Sequence, residues 1–90
     1  MKNFFHISQK FKAIQNQVRL EIVNAIIKAP SGRISVTDLM KTLDMSQAKI
    51  SQQLSILRYA RLIRSQRDGQ RTIYSIADDK FFKSIIRLFG

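Results

Sequence analysis

The chain of 90 residues contains no cysteine. That absence removes a disulfide framework, a thiolate zinc site and a thiol redox switch together. Histidine occurs once, as His6. With neither a Cys/His nor a Ser/His pair to assemble, no residue is a candidate for catalysis and no residue is expected to hold a metal. The three glycines, Gly32, Gly69 and Gly90, are too far apart to form a phosphate-cradling loop, so no cofactor is expected. No apolar run approaches the ~18 residues of a membrane span. No cleavable signal pattern opens the chain, and the expected location is cytoplasmic.

Acidic residues are scarce as well. Six Asp+Glu stand against 16 Lys+Arg, a formal net charge of +10. Such an excess favours polyanions, because each neutralised phosphate releases condensed counterions. A basic surface that merely keeps the protein soluble is the alternative. Ninety residues make one domain, residues 1–90. A chain of that size hides only about 60–65% of its unfolded surface, so a second copy would help it. There is no internal repeat, low-complexity tract or linker.

Phe4, Ile7, Phe11, Ile14 and Val18 recur at steps of three and four, one stripe of a helix. Leu20, Ile22, Val23, Ile26 and Ile27 continue at helical spacing until Pro30-Ser31-Gly32 stops them. Arg33 to Val36 is a short extended segment. Val36, Leu39, Met40 and Leu43 then fit the i, i+3, i+4, i+7 pattern, opened by the capping box Ser35-Val36-Thr37-Asp38, with Thr37 as the rival cap. Asp44 and Met45 form a turn, and Ser46 caps a further helix that turns Ile50, Leu54 and Leu57 inward. Leu62 to Arg67 and Arg71 to Ile76 read as two strands around Asp68-Gly69-Gln70, where Asp-Gly supplies the positive φ of a tight hairpin. Asp78-Asp79 opens a last helix carrying Phe81, Phe82, Ile85, Ile86, Leu88 and Phe89.

The expected fold is mainly α with a small β-hairpin, in the order α-α-β-α-α-β-β-α: a winged helix-turn-helix. The helix after Ser46 has the dimensions to enter a DNA major groove, and Gln47, Lys49, Ser51, Gln52 and Ser55 lie off its inward stripe. Gln pairs with adenine N6/N7, Ser donates or accepts, and Lys49 suits phosphate or a guanine edge. Thr37 and Ser46, at the starts of the two helices, are expected to contact DNA as well. Residues 46–74 hold Lys49, Arg58, Arg61, Arg64, Arg67 and Arg71 against Asp68, a net +5 and half of the protein's excess. Arg67, Gln70 and Arg71 surround the hairpin tip, placed for phosphate or the minor groove. The bland alternatives are a solvated helix face and an edge hairpin charged against aggregation.

The run from Leu43 to Arg58 resembles the recognition helix of the ArsR/SmtB family of dimeric winged-helix repressors. Leu62-Ile63, Arg67-Asp68-Gly69-Gln70 and Ile73-Tyr74-Ser75-Ile76 are similar to that family's wing, and Val18-Arg19-Leu20-Glu21-Ile22 to its second helix. The resemblance spans about residues 15–80. It implies a homodimer formed by the terminal helices and repression by occupying an operator in double-stranded DNA, hence a nucleoid-associated protein. Two departures stand out. Arg61 occupies the place where the family usually has Gly before the wing. Ser35-Val36-Thr37 stands where metal-sensing members carry a Cys-Val-Cys-type run, and Asp78 and Asp79 lack the histidines of the family's other metal site. Metal sensing by those routes is not expected, which leaves control to protein abundance, a protein partner or a small organic inducer.

The terminal segments, residues 1–15 and 78–90, carry more apolar surface than one small core absorbs. Phe4, Phe5, Ile7, Phe11, Phe81, Phe82, Ile85, Ile86 and Phe89 are therefore expected at a dimer interface. Two-fold symmetry would present two recognition helices to successive major grooves of a palindromic operator. The competing functions are a winged-helix protein-interaction module and a nucleic-acid binder without sequence preference.

Overall fold

The computed structural model describes residues 2–89, with the side chains of residues 2, 3, 86, 88 and 89 outside that description. Helices α1 (Lys2–Ile14) and α2 (Gln17–Lys28) lead through a single 3-10 turn to strand β1 (Arg33–Ser35). Helices α3 (Val36–Leu43) and α4 (Gln47–Tyr59) follow, then β2 (Ile63–Asp68), β3 (Arg71–Ile76) and α5 (Asp79–Phe89). The expected order of elements is the observed one.

The stripe from Phe4 to Val18 is not a single helix. Asn16 adopts extended backbone, and its side chain accepts a hydrogen bond from the Arg19 N–H at 3.0 Å, capping α2. A short amide competes with the helical ladder for backbone groups, and here it wins. The three-and-four spacing survives the break because Ala13, Ile14 and Val18 pack against one core from both sides of it. In α2, Ile22, Val23 and Ile26 are buried, while Leu20 and Ile27, seven residues apart on one face, point to solvent.

Ser35 and Ser46 both cap as expected, accepting from the N–H groups of Asp38 and Lys49. Ser35, not Thr37, is the cap of α3. Asp44 ends α3 in the left-handed region at φ 53°. The end of α4 is a Schellman motif. Leu62 N–H bonds the Leu57 carbonyl at 3.1 Å, Arg61 N–H bonds the Arg58 carbonyl at 2.9 Å, and Arg61 sits at φ 62°. Arg61 thus adopts the conformation for which glycine is suited, at a cost of about 1 kcal/mol. Leu57 and Leu62, the apolar pair that accompanies this motif, are both fully buried.

The sheet is antiparallel in the order β1-β3-β2. Asp68 pairs with Arg71, so β2 begins and ends one residue later than expected and the loop is only Gly69-Gln70. Gly69, at φ +67°, supplies the positive φ. Beneath the sheet, Ile22, Ile26, Leu39, Ile50, Leu54, Leu57, Leu62 and Ile63 form the core.

Phe82 belongs to this core, at 8% exposed. It differs in this from its expected place at a dimer interface, because α5 lays that side chain inward against its own chain. Phe11 and Phe81 are half-buried and meet edge to face, 5.3 Å between ring centroids. Lys10 bridges α1 to Asp78, whose carboxylate also accepts from the Phe81 N–H and so caps α5. The hydrogen bond from Lys10 holds the Asp78 carboxyl below the usual carboxylate range, against the opposing effect of burial. Phe4, Phe5 and Ile7 are exposed on α1, and Ile85 is half-buried on α5. Ile86 and Phe89 lie outside the described side chains.

Candidate nucleic-acid interface

Helix α4 stands with Ile50, Leu54 and Leu57 in the core and with Gln47, Lys49, Ser51, Gln52 and Ser55 all exposed. At about 100° per residue, Gln52 lies nearly opposite the buried stripe, and Ser51 and Ser55 both lie to one side of it. Ser55 donates its hydroxyl to the Ser51 carbonyl at 3.1 Å, so that proton is used within the helix and only oxygen lone pairs remain for an external donor. Ser46, at the helix start, has its oxygen directed to the Lys49 N–H. Thr37 is exposed in the first turn of α3, beside Asp38.

The wing is tied to this helix by Arg58, whose guanidinium donates to the Ser65 hydroxyl at 3.3 Å. Arg64 donates to the Ala77 carbonyl at 3.4 Å and buttresses the base of the ribbon. Arg67, Gln70 and Arg71 are exposed at the tip. Alternation along the paired strands puts Arg67 on the face of Ser65 and Tyr74, and Arg71 on the other face, so the two cations straddle the ribbon. Arg71 lies 3.6 Å from Asp38, with both side chains more than half exposed. A pair that open is worth little and yields readily to a phosphate. Among the described residues Arg67 has no carboxylate within ion-pair distance.

The expected residues fall into two groups, amides and hydroxyls on α4 and guanidiniums on the wing, and the Arg58–Ser65 contact links the two elements. Arg58 and Arg64 entered the sequence argument only as charge, and the structure gives them the job of fixing helix to ribbon. Tyr59, 88% exposed on α4, was not anticipated. Its signal was present: Gln52, Ile56 and Tyr59 stand four and three residues apart, one continuous outward stripe.

The positions matched to the family's metal ligands carry oxygen donors only, at Ser35, Thr37, Asp78 and Asp79. Ser35 and Thr37 offer hydroxyls in place of thiolates, and the Ser35 oxygen already caps α3. Asp78 is engaged by Lys10 and the Phe81 N–H, and Asp79 by Lys83 at 3.1 Å. Among the described residues no three of His, Cys, Asp or Glu come together at a metal-sized site. No helix among them is long and apolar enough to cross a membrane.

A three-stranded sheet beside a helix-turn-helix, with a polar recognition helix and a basic ribbon, defines a winged helix-turn-helix regulator and not an enzyme. The family model for "bacterial regulatory protein, arsR family" matches residues 16–65, and this chain belongs to that family. The arsenical resistance operon repressor of Bacillus subtilis is 36% identical over 72 residues, covering 80% of this chain and 67% of the relative. A transcriptional repressor SmtB homolog of Synechocystis is 32% identical over 73 residues, covering 81% of this chain and 53% of the relative. The chain thus spans between about half and two thirds of these curated relatives. Among solved structures, the transcriptional repressor PagR of Bacillus anthracis superposes with a TM-score of 0.83 at 27% identity, covering 99% of this chain and 98% of that one.

Proposed function

We propose that two copies of this chain join through α1 and α5 and bind double-stranded DNA, repressing transcription by occupying an operator in the cytoplasm, at the nucleoid. The observation that carries this reading is the exposed α4 face, Gln47, Ser51 and Gln52, held beside a basic wing by the Arg58–Ser65 contact. The amides read base edges and the wing cations contact the backbone. Two-fold symmetry makes the operator an imperfect palindrome with half-sites about one helical turn apart. Repression is not released by a metal or by thiol oxidation, since the donor chemistry for either is missing. Phe4, Phe5, Ile7, Phe11, Phe81 and Ile85 form the joint, with Phe82 inside each protomer supporting it.

The test begins with selection of bound duplexes from a random pool, followed by binding at several salt concentrations. Gln52→Ala is expected to cost about 1–3 kcal/mol on the selected operator and to relax preference at one position per half-site. Arg67→Ala weakens operator and scrambled duplexes alike and lowers the salt slope by about one. If Gln52→Ala lowers both equally and Arg67→Ala alters preference, the two roles are reversed. A wild-type protein that binds the selected duplex no better than scrambled DNA is a binder without sequence preference, and one that binds neither is an interaction module. Zinc, cadmium or arsenite weakening operator binding tenfold at micromolar concentration refutes the statement on metals.

A further inference from the structure

The Gln52–Ile56–Tyr59 stripe runs from the DNA-reading end of α4 into a groove between α4 and α1. The groove is open to solvent and has a volume of about 400 Å³, within the ~300–1,000 Å³ usual for small-molecule sites. Its lining divides by chemistry. Ala13, Ile56, Tyr59 and Ala60 supply apolar surface, and Lys12 and Arg19 supply two cations. No Asp or Glu lines it. Ile56 and Tyr59 are two of the large apolar side chains left exposed outside α1, at 39% and 88%. Phe5, 65% exposed, lies on the same side of α1, one turn before Gln9, which also borders the groove.

Arg19 is held in place. Its Nε donates to the Ala13 carbonyl at the end of α1, and Nη1 donates to Gln53 Oε1 at 2.8 Å. Two of its five N–H donors are thereby used, leaving three on a guanidinium that has already lost its rotamer freedom. A fixed guanidinium fork matches a carboxylate, and Lys12 adds an ammonium with no carboxylate partner among the described residues. Phosphate alone would leave the apolar wall uncovered; a hydrocarbon alone would leave the cations unmatched.

We infer that this α1–α4 groove binds a small amphipathic carboxylate, an aryl or alkyl acid whose head meets Arg19 and Lys12 and whose body lies on Ile56 and Tyr59. The site touches α4 within a turn or two of Gln52. A negative charge there opposes the phosphate backbone, so ligand and DNA weaken each other by the same factor. The acid acts as an inducer in place of a metal.

The contact is read without DNA, so it stands or falls separately from the operator reading. Isotope-labelled full-length protein is titrated with 4-phenylbutyrate and with octanoate, and in parallel with 4-phenylbutanol and octan-1-ol. Both acids are expected to produce saturable amide shifts centred on Lys12, Arg19, Ile56 and Tyr59, with the alcohols binding at least about tenfold more weakly. Lys12→Gln, an exposed change, reduces acid affinity severalfold and leaves the alcohols unaffected; Ile56→Glu abolishes acid binding. A saturating acid lowers operator affinity severalfold in wild type and not in Ile56→Glu. Alcohols as tight as acids, shifts centred on Ile7, Phe11 and Phe81, or no saturable shift up to about ten millimolar would overturn the proposal. Concentration-dependent shifts at Ile56 and Tyr59 without acid would assign the groove to a second copy of the chain instead.

Discussion

Two regions of this small domain, the α3–α4 unit and the α1–α5 pair, handle apolar helix surface in opposite ways. In α3–α4, Leu39, Ile50, Leu54 and Leu57 are all hidden inside the chain, and each helix begins with a serine cap and ends in a left-handed residue. Everything local is satisfied, and the face left outside is polar or basic through its first turns. In α1–α5, one ion pair and one aromatic contact join the two helices, Ala13 and Phe82 seat them on the core, and Phe4, Phe5 and Ile7 remain open. The difference separates a polar and basic outer face from an open apolar one.

Substitutions should expose that contrast. Among truncations to alanine, the largest effect on the fold is expected from Leu57→Ala. It removes a fully buried side chain that also closes the Schellman motif with Leu62, and should cost about 2–5 kcal/mol in denaturant unfolding. Phe4→Ala, measured the same way on dilute protein, should change almost nothing, because no core contact is lost. Equal losses for the two would erase the distinction between the regions.

Ile7→Asp tests the open face directly. A carboxylate set into an apolar joint carries a desolvation cost with no partner, so self-association should weaken by at least about tenfold while the monomer stays folded. Sedimentation equilibrium measures it. A wild type that is monomeric at tens of micromolar would remove the joint from the model of function. Phe82→Asp is the contrasting variant: because Phe82 lies in the protomer's own core, it should unfold the chain and not merely separate two copies.

Smaller changes probe the local devices of α4. Ser46→Ala deletes the oxygen that accepts from Lys49 N–H, and should cost about 1 kcal/mol. The loss should appear as faster amide exchange at Gln47, Ala48 and Lys49, the first turn of the helix. Protection unchanged at those amides would mean the helix start is held from elsewhere. Smallest, and of opposite sign, is Arg61→Gly. Relief of a left-handed non-glycine residue should add stability of up to about 1 kcal/mol, with the wing unmoved. A loss of stability would show that the Arg61 side chain holds something worth more than the strain at its backbone.

The elements that were legible in the sequence are those written in short-range chemistry. Ser35 and Ser46 fall where a freed N–H needs an oxygen, Gly69 where the hairpin needs positive φ, and Ile50, Leu54 and Leu57 at the spacing of one helix face. Those signals depend on neighbours within a turn or a strand pair, so α3, α4 and the wing, with Gln52 and Arg67 on their outer faces, could be placed from the residues alone. Periodicity failed where it was blind to a local competitor. The spacing from Phe4 to Val18 is unbroken, yet the Asn16 side chain ends one helix and starts another.

Tertiary structure decided what depends on distant partners. Whether an apolar residue of α5 faces its own core or the outside is set by how that helix docks, and docking turned Phe82 inward while leaving Phe81 half-open against Phe11. The cation–apolar groove needed Lys12, Arg19 and Tyr59, residues 47 positions apart at the extremes, to be brought together by packing α1 and α2 on α4. Composition and spacing carry the helix faces because a helix repeats every 3.6 residues; they carry no record of which faces meet, since that follows from the shape of the whole core.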